Sequence, residues 1–116
     1  MIRDTIKKHS DFAMGENDPT ARCAFFLVRA KIAKLPNDAR YGLIVTKRTF
    51  KHAIDRNRAK RLLRDWIEFN EKMLVPEYDY VFVARRDILT ADRTSGRTAM
   101  GKALNYLKQK IKTNVR

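Results

Sequence analysis

Cysteine, histidine, glycine and proline are all scarce in this sequence of 116 residues. It has one cysteine, two histidines, four glycines and three prolines. A single cysteine excludes an intramolecular disulfide, and the sequence offers none of the short Cys/His spacings of a zinc site. Cys23 is therefore predicted to be a small apolar residue near the start of a strand. Repeats and low-complexity tracts are also missing, so the chain is expected to form one domain over residues 1–116.

Long apolar runs are missing too. No stretch approaches the roughly 20 apolar residues of a membrane-spanning helix. The first residues, Met1 to Asp4, lack the apolar core of a secretory signal. The sequence therefore predicts a cytoplasmic protein with no membrane partner.

Acidic residues are too few to balance the basic ones. There are 26 Lys and Arg against 13 Asp and Glu, which gives a net charge of +13. Such an excess repels itself in the compact state and indicates an anionic partner, and the candidates are nucleic acid and an anionic membrane surface. The membrane surface is not favoured, since no predicted helix pairs a basic face with a solvent-exposed apolar one. The hydrophobic content of 44% argues against simple disorder.

Hydrophobic periodicity predicts a chain of helices and strands. The predicted order is a helix over 2–12, strands over 23–32 and 40–46, a helix over 55–74, a strand over 78–84 and a helix over 98–112. Residues 14–22 are predicted to be a loop with room for a further short strand, and residues 86–97 a second loop. Asp55 is the expected N-cap of the middle helix, which Pro76 would end. This order predicts an α+β fold, an α/β sandwich with helices packed on one small sheet.

Basic residues crowd the segment from Lys47 to Arg64. On a helical projection, Asn57, Lys60, Arg61 and Arg64 lie opposite an apolar face, and Arg58 lies to one side. The cations occupy the first turns, where the helix dipole is positive and each cation costs about 0.3–1 kcal/mol. A helix N-terminus with exposed N–H groups and several arginines is instead suited to binding phosphate.

Four segments resemble the bacterial ribonuclease P protein family. Arg56–Arg64 is similar to its R-N-R-x-[KR]-R-x-x-R signature, and Arg40–Arg48 to its R-x-G-[FL]-x-V-[ST]-K-K strand. Asp79–Arg85 is similar to the D-[YV]-V-x-[IV]-A-R strand, and Lys7–Phe12 to the K-x-x-x-D-F stretch. The resemblance runs over about residues 6–112, and its motifs keep the family's order. Residues 90–98 look like a small insertion relative to the family.

The resemblance implies an α-β-β-β-α-β-α fold, similar to a ribosomal protein, with a left-handed crossover into the parallel strand. It also implies a protein that does not itself cut RNA. Its partners would be the catalytic ribonuclease P RNA and precursor tRNA, with Mg²⁺ held mainly by the RNA and the substrate and no stable protein partner.

Two sets of residues are predicted to contact these RNAs. The set for the catalytic RNA is Lys47, Arg48, Arg56, Asn57, Arg58, Lys60, Arg61 and Arg64. The set for a cleft that holds the single-stranded 5′ leader of precursor tRNA is Phe12, Phe26, Val28, Arg85 and Arg86. Lys31 belongs to the opposite face of its strand and is left out of this cleft.

Other functions fit the sequence less well. A metal-free nuclease needs positioned acid and base groups, and only His9 and His52 are available. No catalytic or metal-binding residue is therefore predicted in the protein. A ribosomal or other structural-RNA-binding protein is the main alternative, since it explains the charge but not the ordered motifs. A helix-turn-helix protein needs adjacent helices, whereas strands flank this basic helix.

Overall fold

The computed structural model describes residues 3–4, 18–32, 40–76 and 78–114. Its strands are β1 (Arg3–Asp4), β2 (Thr20–Arg22), β3 (Phe26–Ile32), β4 (Arg40–Ile44) and β5 (Tyr78–Ala84), and its helices are α1 (Ala53–Phe69) and α2 (Arg93–Asn114). Short 3-10 turns follow α1 at Glu71–Met73 and β5 at Arg86–Thr90.

The strands form one mixed sheet in the order β1-β4-β5-β3-β2. Strand β3 is antiparallel to both of its neighbours, whereas β4 is parallel to β5 and to β1. Parallel strands need a crossover connection, and helix α1 supplies it between β4 and β5. The predicted α+β class is confirmed, and the left-handed sense of the crossover stays a prediction.

One face of the sheet and the inner sides of both helices form the core. Val28 lies opposite Phe82 in the β3–β5 register, and both are fully buried. The rings of Phe26 and Trp66 lie 6.3 Å apart, which joins β3 to α1. Helix α2 adds Met100 and other buried residues from the same layer. Aromatic pairs of this kind stabilise a core beyond the area that they bury.

The first part of the chain departs from the prediction. Arg3–Asp4 pairs with β4 as a short parallel strand, where a helix over 2–12 is expected. The rest of that helix, including His9 and Phe12, lies outside the described residues. The short strand foreseen within 14–22 is present as β2. Cys23 is half-buried in the turn before β3, where its amide N–H donates to the carbonyl of Phe26 at 2.9 Å.

Helix α1 begins and ends earlier than predicted. It begins at Ala53 with His52 as N-cap, so Asp55 lies inside the first turn and is not the cap. It ends at Phe69, because Asn70 turns back and its side-chain amide donates to the carbonyl of Trp66 at 2.9 Å. The same amide donates to the carbonyl of Arg97 at 3.0 Å, which ties the end of α1 to α2.

Helix α2 begins within the segment predicted as a loop. The carboxylate of Asp92 accepts the amide N–H of Ser95 at 2.7 Å, which is N-cap geometry. This hydrogen bond lowers the pKa of Asp92. Gly96 is buried in the first turns of α2, where its backbone packs on the indole of Trp66. The expected insertion at 90–98 is therefore mostly the first part of a helix.

Asp65 of α1 and Arg97 of α2 form a bidentate ion pair, with N···O distances of 3.1 and 3.0 Å. The guanidinium of Arg97 also lies 4.3 Å from the centroid of the Phe69 ring. The hydrogen bonds from Arg97 lower the pKa of Asp65 below its usual 3.8. The two helices are thus joined at the surface by charge as well as by packing.

Replacing Asp65 with asparagine is expected to reduce stability only slightly. The side chain is 38% exposed, so solvent screens the pair and the loss at neutral pH should be about 0.5 kcal/mol. Because folding depresses this pKa, the contribution is present above the unfolded-state value and is lost as the pH falls through the folded-state value. Urea unfolding of both proteins over a series of pH values, from neutral down to a pH at which the stability difference no longer changes, measures it. A difference that persists at low pH would contradict the assignment.

Neither helix, over the described part of the chain, is long and apolar enough to span a bilayer.

Candidate nucleic-acid interface

The outer side of α1 carries the predicted basic residues. Asn57, Arg58 and Arg61 are exposed, and Lys60 and Arg64 are half-buried at the flank. We call these five residues the α1 basic surface. The opposite side of the helix buries four apolar residues, Ala59, Leu63, Trp66 and Ile67. The helical projection made from the sequence is confirmed for Asn57 and Arg61, whereas Lys60 and Arg64 lie nearer the flank and Arg58 is more exposed than predicted.

Arg56 has a different role from its neighbours in the motif. Its guanidinium donates to the backbone carbonyls of Phe50 and Lys51 at 2.9 and 3.1 Å. It thereby holds the loop that leads into α1 against the helix. Lys47 and Arg48 are exposed in the turn of that loop. Arg56 therefore also determines where these two cations lie relative to the α1 basic surface.

The beginning of α1 favours anions. The N-cap residue, His52, makes no side-chain hydrogen bond to the first turn. Amide groups at a helix start without such a cap carry partial positive charge and are open to an anionic ligand. Asp55 is the acidic residue of that turn, and basic residues follow it at Arg56, Arg58 and Lys60.

A cleft of about 320 Å³ lies where α1 meets the start of α2, and its lining includes Arg58, Arg61 and Arg93. Its acidic lining residue, Asp65, already receives both hydrogen bonds from Arg97. The indole of Trp66 also borders the cleft, and its Nε1 lacks a hydrogen-bond partner among the described residues. Three guanidinium groups around one opening suit a phosphate.

Arg93 is absent from the sequence-based set because its segment is predicted to be a loop. The sequence signal that locates it is Asp92, an N-cap residue type directly before Arg93. With the helix starting at Arg93, this cation comes to the same cleft as Arg58 and Arg61.

The prediction for the leader cleft is wrong at Phe26 and Val28. Both side chains are fully buried on the sheet face that packs against the helices, so neither can stack on an RNA base. Arg85 and Arg86 are exposed just after β5, as expected. Arg85 donates to the carbonyl of Cys23 at 3.4 Å. Phe12 lies outside the described residues.

The other face of β3 carries Leu27, Arg29 and Lys31, which are half-exposed. Lys31 pairs in register with Asp79 of β5, whose carboxylate accepts two hydrogen bonds from Arg40. Alternation along a strand separates the two faces but does not say which one the helices cover. The β3 residues predicted for the leader cleft lie on the covered face, and the uncovered face carries Arg29 and Lys31.

Catalytic groups do not converge in the described residues. No group of three His, Cys, Asp or Glu side chains there is placed to hold a metal ion. His52 is exposed, and Asp79 is engaged by Arg40. Burial raises the pKa of Tyr80 to about 12, and its hydroxyl oxygen accepts the amide N–H of Val75 at 2.8 Å. Asp79 and Tyr80 thus have structural partners, and the charged surface that the described part of α1 presents is cationic.

Comparison with known proteins decides the family. The ribonuclease P family model matches residues 3–108. The chain belongs to the ribonuclease P protein family. The ribonuclease P (RNase P) protein component of Pelotomaculum thermopropionicum is 30% identical over 91 residues, which are 75% of this chain and 77% of that protein. That of Idiomarina loihiensis is 35% identical over 72 residues, 62% of this chain and 54% of its own length.

Solved structures agree at the level of the fold. The RNase P protein of Staphylococcus aureus superposes with a TM-score of 0.71 at 22% identity, covering 88% of this chain and 91% of that one. The family makes the chain a protein component of RNase P, a ribonucleoprotein endoribonuclease, with an RNA as its partner. The alternative of a ribosomal protein is not favoured.

Proposed function

We propose that the α1 basic surface, together with Lys47, Arg48, Arg56 and Arg93, binds the catalytic RNA of RNase P. The observation that carries this proposal is the row of cations at a helix start that has no side-chain cap, within the family motif. Arginines there can hold phosphates bidentately while the helix amides add partial positive charge. Such contacts set position and affinity and need no base readout.

The second part of the proposal concerns the substrate. The protein also binds the 5′ leader of precursor tRNA, and the leader lies on the sheet face of Leu27, Arg29 and Lys31. These three β3 side chains are half-exposed and two of them are basic, whereas Phe26 and Val28 on the other face of the strand are buried. Single-stranded RNA is held by cations along its backbone and by apolar or aromatic side chains against its bases.

The third part concerns the chemistry. The protein supplies no catalytic group, and the Mg²⁺ of the reaction is held by phosphates of the RNA partner and of the substrate. Mg²⁺ takes phosphate oxygens together with water and acts on phosphoryl transfer by stabilising the attacking and leaving oxygens. The task of the protein is to position the two RNAs.

Reconstitution tests the proposed function. The purified protein is added to a bacterial RNase P RNA at low Mg²⁺, and cleavage of precursor tRNA is measured. We expect a faster rate with both components and no cleavage by the protein alone. A rate that the protein does not change would overturn the proposal. Specific cleavage by RNA-free protein, lost on a single side-chain substitution, would overturn its third part.

Replacing Asn57 with alanine should weaken binding of RNase P RNA without changing its salt dependence. Asn57 is exposed in the middle of the α1 basic surface, and its amide can make hydrogen bonds but releases no counterion. The expected loss is about 1 kcal/mol. Plots of log affinity against log salt concentration should be parallel for the wild type and the variant. Converging lines would show that the side chain acts through charge.

Replacing Arg29 with alanine should weaken binding of precursor tRNA to the assembled enzyme and leave mature tRNA nearly unaffected. Arg29 lies at the centre of the proposed leader face, and one lost single-strand phosphate contact reduces the salt slope by about 0.7. Lys72→Ala is the matched control, because Lys72 is an exposed cation in the 3-10 turn after α1. Equal weakening for both tRNAs would place Arg29 outside the leader site.

A further inference from the structure

A groove larger than the α1–α2 cleft lies on another side of α2. It has a volume of about 830 Å³ and runs between α2 and β2, which is an edge strand of the described sheet. Its polar and charged lining includes Arg22 and Cys23 beside β2, and Ser95, Lys102 and Tyr106 on α2. We call it the β2–α2 groove. Neither the family motif nor the proposed leader face includes these residues.

The groove is separate from the α1 basic surface. Gly96 and Arg97 turn towards α1, where they meet Trp66 and Asp65. Thr98, Lys102 and Tyr106 follow one another at four-residue spacing and line the groove instead. Residues at this spacing share one side of a helix. An RNA segment on α1 therefore leaves this side of α2 open to a second segment.

The charge of the groove selects an anion. Arg22 and Lys102 are both exposed, and no acidic residue occurs among the described residues that line it. Three hydroxyl side chains from the first turns of α2, Thr94, Ser95 and Thr98, add hydrogen-bond donors. The groove thus offers two point charges and neutral donors to a phosphate backbone.

The aromatic and small residues of the groove favour the stacking of a nucleotide base. Tyr106 is 48% exposed, and the ammonium of Lys110 lies 5.5 Å from its ring centroid. The neighbouring lining is apolar and its side chains are small, because it consists of Ala21, Ala99 and Ala103. A flat ring can lie between such alanines and an exposed tyrosine, where each stacked base contributes about 1–3 kcal/mol. Bases inside a duplex cannot reach it, because pairing and stacking occupy them.

We propose that the β2–α2 groove is a second RNA site, which binds an unpaired segment by stacking a base on Tyr106 and holding its phosphates with Lys102 and Arg22. Its readout would be tolerant of sequence, since every base has a face to stack. The site goes beyond the proposed function, because it adds a contact for single-stranded RNA to a protein already bound through α1.

Cys23 provides a direct reporter of occupancy. It is the one cysteine of the sequence, it is half-buried, and it lines the groove. The full-length protein is treated with iodoacetamide, a neutral reagent, in the presence of increasing concentrations of a hexamer of uridylate. We expect the alkylation rate to fall as the groove fills. A rate that stays unchanged up to millimolar hexamer would overturn the proposal.

Three variants identify the contacts. Tyr106→Ala and Lys102→Ala should each need about 5-fold or more hexamer for the same protection, whereas Tyr106→Phe keeps the ring and should need about the same as the wild type. Lys72→Ala removes an equal charge outside the groove and should change little. Protection unaltered by both alanine variants, or given equally by inorganic phosphate, would overturn the proposal. Failure of the proposed function would instead appear as lost binding of RNase P RNA, with protection of Cys23 intact.

Discussion

Raising the salt concentration from about 50 to about 200 mM is expected to weaken binding of RNase P RNA roughly 100- to 500-fold. Each phosphate that a cation neutralises releases counterions, so log affinity falls linearly with log salt. Five such contacts give a slope of about −3.5 to −4.5. The five cations counted are those on α1 and at the cleft: Arg58, Lys60, Arg61, Arg64 and Arg93. Arg56 is not counted because its guanidinium already donates to two backbone carbonyls, and phosphate contacts from Lys47 and Arg48 would make the slope steeper.

Removing two of these cations tests the assignment directly. The double variant Arg58→Ala with Arg61→Ala should make the slope less steep by about two units. Folding should be nearly unchanged, since both side chains are exposed. Lys72→Ala, an equally exposed cation after α1, should leave the slope as it is. A double variant with the wild-type slope would mean that RNA binds elsewhere on the protein.

The basic surface could be predicted from the sequence because one helix carries it. Apolar residues such as Leu63 and Trp66 recur at helical spacing, so the position of Arg61 on the opposite side follows from geometry within the same segment. The positions of β3, β4 and β5 are also recognisable from their apolar runs. Their pairing is not, because β3 and β4 follow one another in the chain and yet each pairs with β5. The exposed side of α1 and the positions of these strands both depend on residues that are close together in the sequence.

The leader face could not be predicted in the same way. Phe26 and Leu27 alternate along β3, and both faces of the strand hold apolar residues. The choice between them depends on Trp66, which is distant in sequence and covers the Phe26 side. Tertiary packing thus decided which face is open, and the more aromatic face became the core.

The start of α2 was missed for a related reason. Gly96 and the hydroxyl residues around it favour a turn when taken alone. In the fold, Gly96 is the residue that allows Trp66 to pack on the helix, and Asp92 caps the first turn at 2.7 Å. A glycine inside a helix costs about 1 kcal/mol relative to alanine, so a close contact is the physical reason for it.

Replacing Gly96 with alanine is therefore expected to destabilise the protein by about 2–3 kcal/mol. The added methyl group would overlap with Cε2 and Cζ2 of Trp66 and lie 2.5 Å from its Nε1. The indole is fully buried and cannot move without displacing its neighbours, Phe25 and Phe26. Overpacking typically costs about 1–3 kcal/mol and occasionally more. A separation of 2.0 Å from a buried ring atom places the cost at about 3–4 kcal/mol, and the helix-propensity gain of about 1 kcal/mol leaves a net loss of about 2–3 kcal/mol.

Gly101→Ala is the matched control, because it makes the same change five residues later in the same helix. Its added methyl group would meet only the side chain of Asn70, with Oδ1 at 3.0 Å and Cγ at 3.8 Å, and a shift of a few tenths of an ångström relieves that contact. We expect its stability to lie within about 1 kcal/mol of the wild type. Thermal unfolding should show Gly96→Ala melting about 8–12 °C lower. Equal melting temperatures for the two variants would mean that Trp66 does not rest on Gly96, and that α1 and α2 meet with space to spare beside the RNA-binding cleft.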